Sequence, residues 1–166
     1  MSLRSPVPLD KRHDTDSFDC GVEALNEYVR QYALQNHQNR SARTYVAFRD
    51  AQLVGYYTLA GGSVSRAEVP PRVAQGLGNY PVPITLLARL AVDLSEQGKG
   101  LGRGLLKDAL LRAFQASELV GSRAIVTHAK NEPAGAFYQR FGFVPSPLND
   151  LHLYLLMKDV RAILGA

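Results

Sequence analysis

Apolar residues recur along the chain at two different spacings, and the switches between them mark its elements. In DCGVEALNEYVRQYALQNHQ, Val22, Leu25, Val29 and Tyr32 recur three or four residues apart, which lays them on one face of a helix behind a cap at Asp19. RTYVAF and QLVGYYTLA, rich in β-branched and aromatic residues and joined at Arg49-Asp50-Ala51, predict an antiparallel hairpin. Residues 61–83 hold glycine and proline at the density of a long loop with one short turn of helix. ITLLARLAVD is almost continuously apolar, as expected of a central strand buried on both faces. A helical period returns over 101–119, with Leu101, Leu105, Ala109, Ala113 and Phe114 on one side and a stop near Gly121. SRAIVTHA predicts the next strand. Asn131 can cap a short helix that tolerates Pro133 in its first turn and closes at Gly142, and LHLYLLMK predicts a last strand.

Strand, loop, helix, strand, helix, strand is an α/β order, with a ligand expected at the carboxyl ends of the central strands. The chain has 166 residues, 46% of them hydrophobic, which is enough for one sizeable core. No internal repeat divides it, so a single domain over 1–166 is expected. The start, MSLRSPVPLDKRHD, lacks an apolar signal core, and no apolar run approaches the roughly 20 residues that span a bilayer. A soluble, cytoplasmic protein is expected. The single cysteine, Cys20, excludes an internal disulfide. His13, His37, His128 and His152 lack metal-site spacing, so no metal is expected.

The stretch QGKGLGRG, residues 97–104, places Gly98, Gly100, Gly102 and Gly104 at alternate positions before and into the predicted helix. Glycine is unfavourable there, because it loses the most backbone entropy and brings no capping side chain. What it supplies is bare backbone at a helix start, where unpartnered N–H groups and the positive end of the dipole attract a phosphate. A P-loop would need Ser or Thr after Gly98-Lys99, and Gly100 stands there. A dinucleotide fingerprint would need a third glycine where Arg103 or Leu105 stands. The spacing Gln97-x-x-Gly100-x-Gly102 instead resembles the Q/RxxGxG/A loop of the GNAT N-acetyltransferases. Further on, NEPAGAFYQRFGF is similar to that family's NxxAxxFYxxxGF signature, and the resemblance runs over about residues 40–158.

The resemblance implies the GNAT fold, a mixed central β-sheet flanked by helices, and acetyl-CoA as co-substrate. It implies that the backbone of Leu90, Ala91 and Val92 pairs with the pantetheine arm. Gln97, Gly98, Lys99, Gly100, Leu101, Gly102, Arg103 and Gly104 would hold the pyrophosphate. Asn131, Ala134 and Phe137 would line the cofactor, and Tyr138 would lie beside the thioester sulfur. By composition alone, Phe137, Tyr138, Phe141 and Phe143 read as an aromatic core cluster. A phenol with a reference pKa near 10 can nevertheless protonate a departing thiolate while keeping its own proton at pH 7.

A general base is harder to find. Asp93 and Glu96 lie near the loop but serve equally well as acids that fix a turn, and the central strand carries no Glu. An amine with a low pKa, such as an α-amine near 8, needs less help than a lysine near 10.4. The net charge of +4 favours a polyanionic partner only weakly. The segment FDCGVEALNEYVRQYALQNHQNRSARTYVA together with LLARLAVD resembles the TacT-like subgroup of GNAT toxins. That resemblance implies acetylation of the α-amine of aminoacyl-tRNA, a ribbon-helix-helix antitoxin as partner, and a homodimer. Arg40 and Arg43, expected near the end of the first helix, are candidate RNA contacts. A GNAT enzyme for a small amine or protein terminus, and a non-catalytic acyl-CoA-binding module, are the alternatives.

Overall fold

The structure, a computed structural model, describes residues 3–164. Its strands are β1 (Val7–Pro8), β2 (Arg43–Arg49), β3 (Gln52–Val64), β4 (Val82–Val92), β5 (Ala124–His128), β6 (Val144–Ser146) and β7 (Asn149–Leu156), and they form one mixed sheet in the order β1-β2-β3-β4-β5-β7-β6. The helices are α1 (Glu23–Glu27), α2 (Ala33–Asn39), α3 (Pro71–Ala74), α4 (Leu101–Ser117), α5 (Glu132–Gln139) and α6 (Met157–Ile163). The predicted hairpin is present: β2 and β3 pair antiparallel from Arg43↔Leu59 to Arg49↔Gln52. β4 pairs parallel with β5 from Ile84↔Ala124 to Leu87↔Thr127, and β4 then continues to Val92. Two compact units are distinguished, Met1–Ala60 with Ala88–Ala109, and Gly61–Leu87 with Leu110–Ala166.

In the first unit Phe18, Tyr28, Val29, Ala33, Val46, Leu53, Tyr56 and Ala91 form a buried cluster. The strand period gives β3 two faces. Gly55 lies under α4, and a Cβ there would come within 2.9 Å of Leu105 and 3.2 Å of Leu101, so glycine is what allows the helix its close approach. Tyr57, two residues on, donates its hydroxyl to Asp108 of α4. Tyr56 faces the other way, packing on Phe18 and Tyr28 and donating to the Leu25 carbonyl at 2.7 Å.

The predicted first helix is not continuous. A π-helical turn, Tyr28–Tyr32, separates α1 from α2. A π turn advances the register, so Ala33 is fully buried while Tyr32, expected on the apolar face, is 47% exposed. Asp19 does not cap the helix. Val22 holds the cap position without a side-chain bond, and the Asp19 carboxylate accepts from the Gly21 N–H and the Asn26 amide. Arg40 closes α2 in the left-handed region at φ 68°, and Arg43, the first residue of β2, donates to the His37 carbonyl.

In the second unit Val69, Val73, Val82, Ile84, Ala124, Val126, Tyr154 and Leu156 make the core. The segment expected to be loop is shorter, because β3 continues through Gly61-Gly62 to Val64 and β4 begins at Val82. Arginines pin the rest: Arg66 donates to the Leu77 and Gly78 carbonyls, Arg123 to those of Val73 and Gln75, and Arg72 pairs with Asp159. β4 is not buried on both faces, since Thr85, Leu86, Ala88, Arg89, Leu90 and Val92 are half-buried. β6 and α6 were not expected. Among the described residues no helix is long and apolar enough to cross a membrane.

Candidate active site

The glycine loop lies wholly in the first unit. After β4 a short 3-10 turn, Leu94–Glu96, leads into residues 97–100 and then α4. Gly98 and Gly100 adopt φ of 78° and 90°, a region that disfavours side chains. Gly104 lies in the first turn of α4, its N–H bonded to the Gly100 carbonyl at 3.2 Å. A Cβ at Gly98, Gly100 or Gly104 would meet nothing within 4 Å. These glycines therefore do not make room for the protein's own packing; they leave a side-chain-free surface at a helix start, where the first N–H groups lack intrahelical acceptors. Leu101 is buried and anchors α4, whereas Lys99 and Arg103 are exposed.

The polar side chains around this loop hold its shape. Gln97 donates from its amide nitrogen to the carbonyls of Cys20 and Val92, each at 2.9 Å, so what it can offer a ligand is its backbone. Asp93 accepts from the Asp19 N–H at 2.9 Å and from the N–H and hydroxyl of Ser95. Burial opposes the charge of Asp93, but those hydrogen bonds together hold its carboxyl below the usual value. Glu96 is buried and takes a two-point ion pair from Arg49, at 2.7 and 3.1 Å, which lowers its pKa. Both acids are committed to the turn. Of the residues singled out on β4, Ala91 is buried in the first unit's core, while Leu90 and Val92 are half-buried.

The second set of residues lies wholly in the second unit. Asn131 caps α5, its side-chain oxygen accepting the Ala134 N–H at 2.9 Å, and Pro133 stands in the first turn. Gly142, at φ 98°, ends the segment. This short frame sets Tyr138, 7% exposed, edge-on to Phe137 and Phe143 with centroids 5.2 and 5.5 Å away. Burial raises the phenol pKa above its usual value, and a hydrogen bond with the Thr127 side chain opposes that shift. Thr127 is itself buried and donates to the Leu87 carbonyl at 3.1 Å. Phe137 and Ala134 are half-buried on the same short helix.

Each half has a defined chemical capacity. The loop offers backbone donors to a pyrophosphate, and Tyr138 is a protonated acid across the neutral range. Neither Asp93 nor Glu96 is available as a base. Among the described residues no three His, Cys, Asp or Glu side chains gather to hold a metal ion. Sequence patterning assigned no role to Thr127 or Arg89. The available signals were a polar residue in a buried strand and an arginine inside an apolar one.

Comparison with known proteins adds to this geometry. The acetyltransferase (GNAT) domain family matches residues 40–145. A tRNA-acetylating toxin of Mycobacterium tuberculosis is 47% identical over 161 residues, 97% of this chain and 96% of the toxin. The structure of AtaT complexed with acetyl-methionyl-tRNAfMet matches with a TM-score of 0.89 and 32% identity, over 98% of this chain and 99% of that one. A tyrosine-to-phenylalanine mutant of AtaT, bound to the C-terminus of the antitoxin AtaR and acetyl-CoA, matches with a TM-score of 0.83 and 31% identity, over 99% of both chains.

Proposed function

The chain belongs to the GNAT acetyltransferase family, and on that premise we propose that it transfers acetyl from acetyl-CoA to the α-amine of aminoacyl-tRNA. It is an acetyl-CoA-dependent N-acetyltransferase. The observation that carries the α-amine reading is the engagement of Asp93 and Glu96 in the turn. With no base at that turn, the acceptor is one whose amine is already substantially neutral near pH 7, which suits an α-amine better than a lysine. The amine nitrogen attacks the acetyl carbonyl, the carbon–sulfur bond breaks, and the thiolate takes the Tyr138 proton while the amine releases its own to solvent. Acetylation removes the nucleophile that peptide-bond formation needs, so the product arrests translation.

In this reading the pyrophosphate sits on the backbone of residues 97–104, with charge added by Lys99 and Arg103. The pantetheine lies along Leu90, Ala91 and Val92 and past Asn131, Ala134 and Phe137. One catalytic domain over 1–166, a homodimer, a cytoplasmic location and a ribbon-helix-helix antitoxin complete it; the AtaT complex with the C-terminus of AtaR supports an antitoxin as partner. Arg40 is the better of the two RNA candidates, because Arg43 already braces the turn into β2.

Transfer of labelled acetyl into charged tRNA, uncharged tRNA and a panel of small amines tests the proposal. Charged tRNA alone should take label, and its modification should fall steeply with salt. Ready labelling of small amines with an unmodified charged pool at low salt overturns the reading in favour of a small-amine enzyme.

A further inference from the structure

Arg89 carries its guanidinium over the ring of Tyr28, the Cζ atom 3.6 Å from the ring centroid. It lies in β4 immediately before Leu90 and is half-buried, and among the described residues it forms no ion pair with a carboxylate. A half-buried guanidinium with five donors and no counter-charge is matched to an external anion. The ring beneath it is held firmly. Tyr28 opens the π-helical turn, a rare local form that gathers at functional sites. It stacks on Tyr56 at 6.4 Å, and its hydroxyl accepts from the Asn36 amide at 3.3 Å.

The side of the sheet identifies the anion. Within the first unit α4 covers the β3 face that carries Gly55 and Tyr57, whereas Tyr28 packs on the opposite face with Tyr56. Arg89 reaches Tyr28 and therefore lies on that opposite face, away from the helix into which the glycine loop leads. A pyrophosphate on the loop is thus not its partner. An aminoacyl ester has lost its carboxylate, so the negative charge nearest the reacting amine is a phosphodiester of the RNA end.

We propose that Arg89, positioned by the Tyr28 ring, anchors a backbone phosphate beside the aminoacylated 3′ end of the acceptor, a deepening that rests on the reading of the substrate as aminoacyl-tRNA. Arg89→Leu should lower kcat/KM for charged tRNA by about tenfold to a hundredfold, mostly through KM, and make the logarithmic salt dependence shallower by about 0.7. Most of that penalty should vanish with a 3′-aminoacyl-adenosine that carries no phosphate. Tyr28→Leu should reproduce part of the loss and Tyr28→Phe should restore it, since only the ring is needed. An unchanged kcat/KM and salt slope in a folded Arg89→Leu protein overturns the anchor and leaves the substrate reading standing. So does a loss of acetyl-CoA affinity measured by calorimetry, which would place Arg89 on the donor. Wild-type protein that acetylates no charged tRNA but binds uncharged tRNA with an Arg89-dependent salt slope sinks the substrate reading and keeps the anchor; absence of RNA binding sinks both.

Discussion

The loop at 97–104 and the segment at 131–143 are both short and both adjacent to a sheet strand, yet in the proposed reaction they would work by opposite means. The loop would act through missing side chains: Gly98, Gly100 and Gly104 present open backbone, and the polar residues nearby, Asp93, Glu96 and Gln97, are consumed in holding it. The α5 segment would act through one side chain, a buried phenol framed by aromatic rings and a helix cap. A binding surface made of backbone fails when anything is added. An acid made of one hydroxyl fails when that hydroxyl is removed. Substitutions in the two regions should therefore separate affinity from rate.

The largest separation is expected from Tyr138→Phe, which deletes an oxygen and little volume. Loss of a positioned acid lowers kcat by about 10² to 10⁴, while the acetyl-CoA Kd should stay the same. Raised by burial, the phenol should also keep its proton well into alkaline solution, so activity that needs it should persist to a pH above the ordinary value of 10.0. Steady-state rates with calorimetry check both points, and a variant with undiminished turnover returns Tyr138 to the aromatic core. The next effect has the opposite signature. Gly100→Val forces a β-branched residue to φ 90°, a strain of order 1–3 kcal/mol, and places a side chain on the open surface. Acetyl-CoA affinity should fall about tenfold or more, with turnover at saturation much less affected; unchanged affinity in the folded variant removes the pyrophosphate from this loop.

The same contrast explains what could be read in advance. Backbone-driven features leave spacing in the sequence: Gly98 and Gly100 take the positive φ of the loop, and the cap at Asn131 and the closing Gly142 stand where the sequence placed them. Features that depend on tertiary partners left none. The three- and four-residue spacing of Val22, Leu25, Val29 and Tyr32 fits an ordinary helix, and only packing on Tyr56 and Arg89 gives the π turn a context. Asp19 reads as a cap until its carboxylate is seen to hold Gly21 and Asn26. Strand β3 runs on through two glycines that local propensity treats as a break, and Pro145 hides β6. The commitments of Asp93 and Glu96 were equally unreadable, because their partners Asp19 and Arg49 are distant in the chain.

The supports beneath the two regions should differ more modestly. Asn131→Ala removes the α5 cap and should reduce stability by about 1 kcal/mol, read as a lower Tm, with acetyl-CoA affinity falling less than in Gly100→Val.

The smallest effect concerns the ion pair under the loop, and its sign follows from the direction of the shift. Arg49 holds the Glu96 carboxyl below its ordinary 4.5 in the folded protein, so the unfolded chain takes up a proton there first. The stabilisation is fully present above that ordinary value and is lost as pH falls through the lower folded one. Between about pH 5 and pH 3, thermal melts of the wild type should shift downward, and acetyl-CoA binding at the loop should weaken in parallel, because the turn that presents Gly98 and Gly100 rests on this pair. Arg49→Met should start lower at about pH 6 and fall less steeply, since the buried carboxyl has then lost the cation that depressed its pKa. The phenol of Tyr138 changes charge nowhere in this range, whereas the acceptor α-amine is protonated as pH falls, so the rate at saturating acetyl-CoA should fall equally in wild type and Arg49→Met while only the wild type loses acetyl-CoA affinity steeply. An acetyl-CoA affinity that stays level while the wild-type melts shift downward would detach the Arg49–Glu96 pair from the loop.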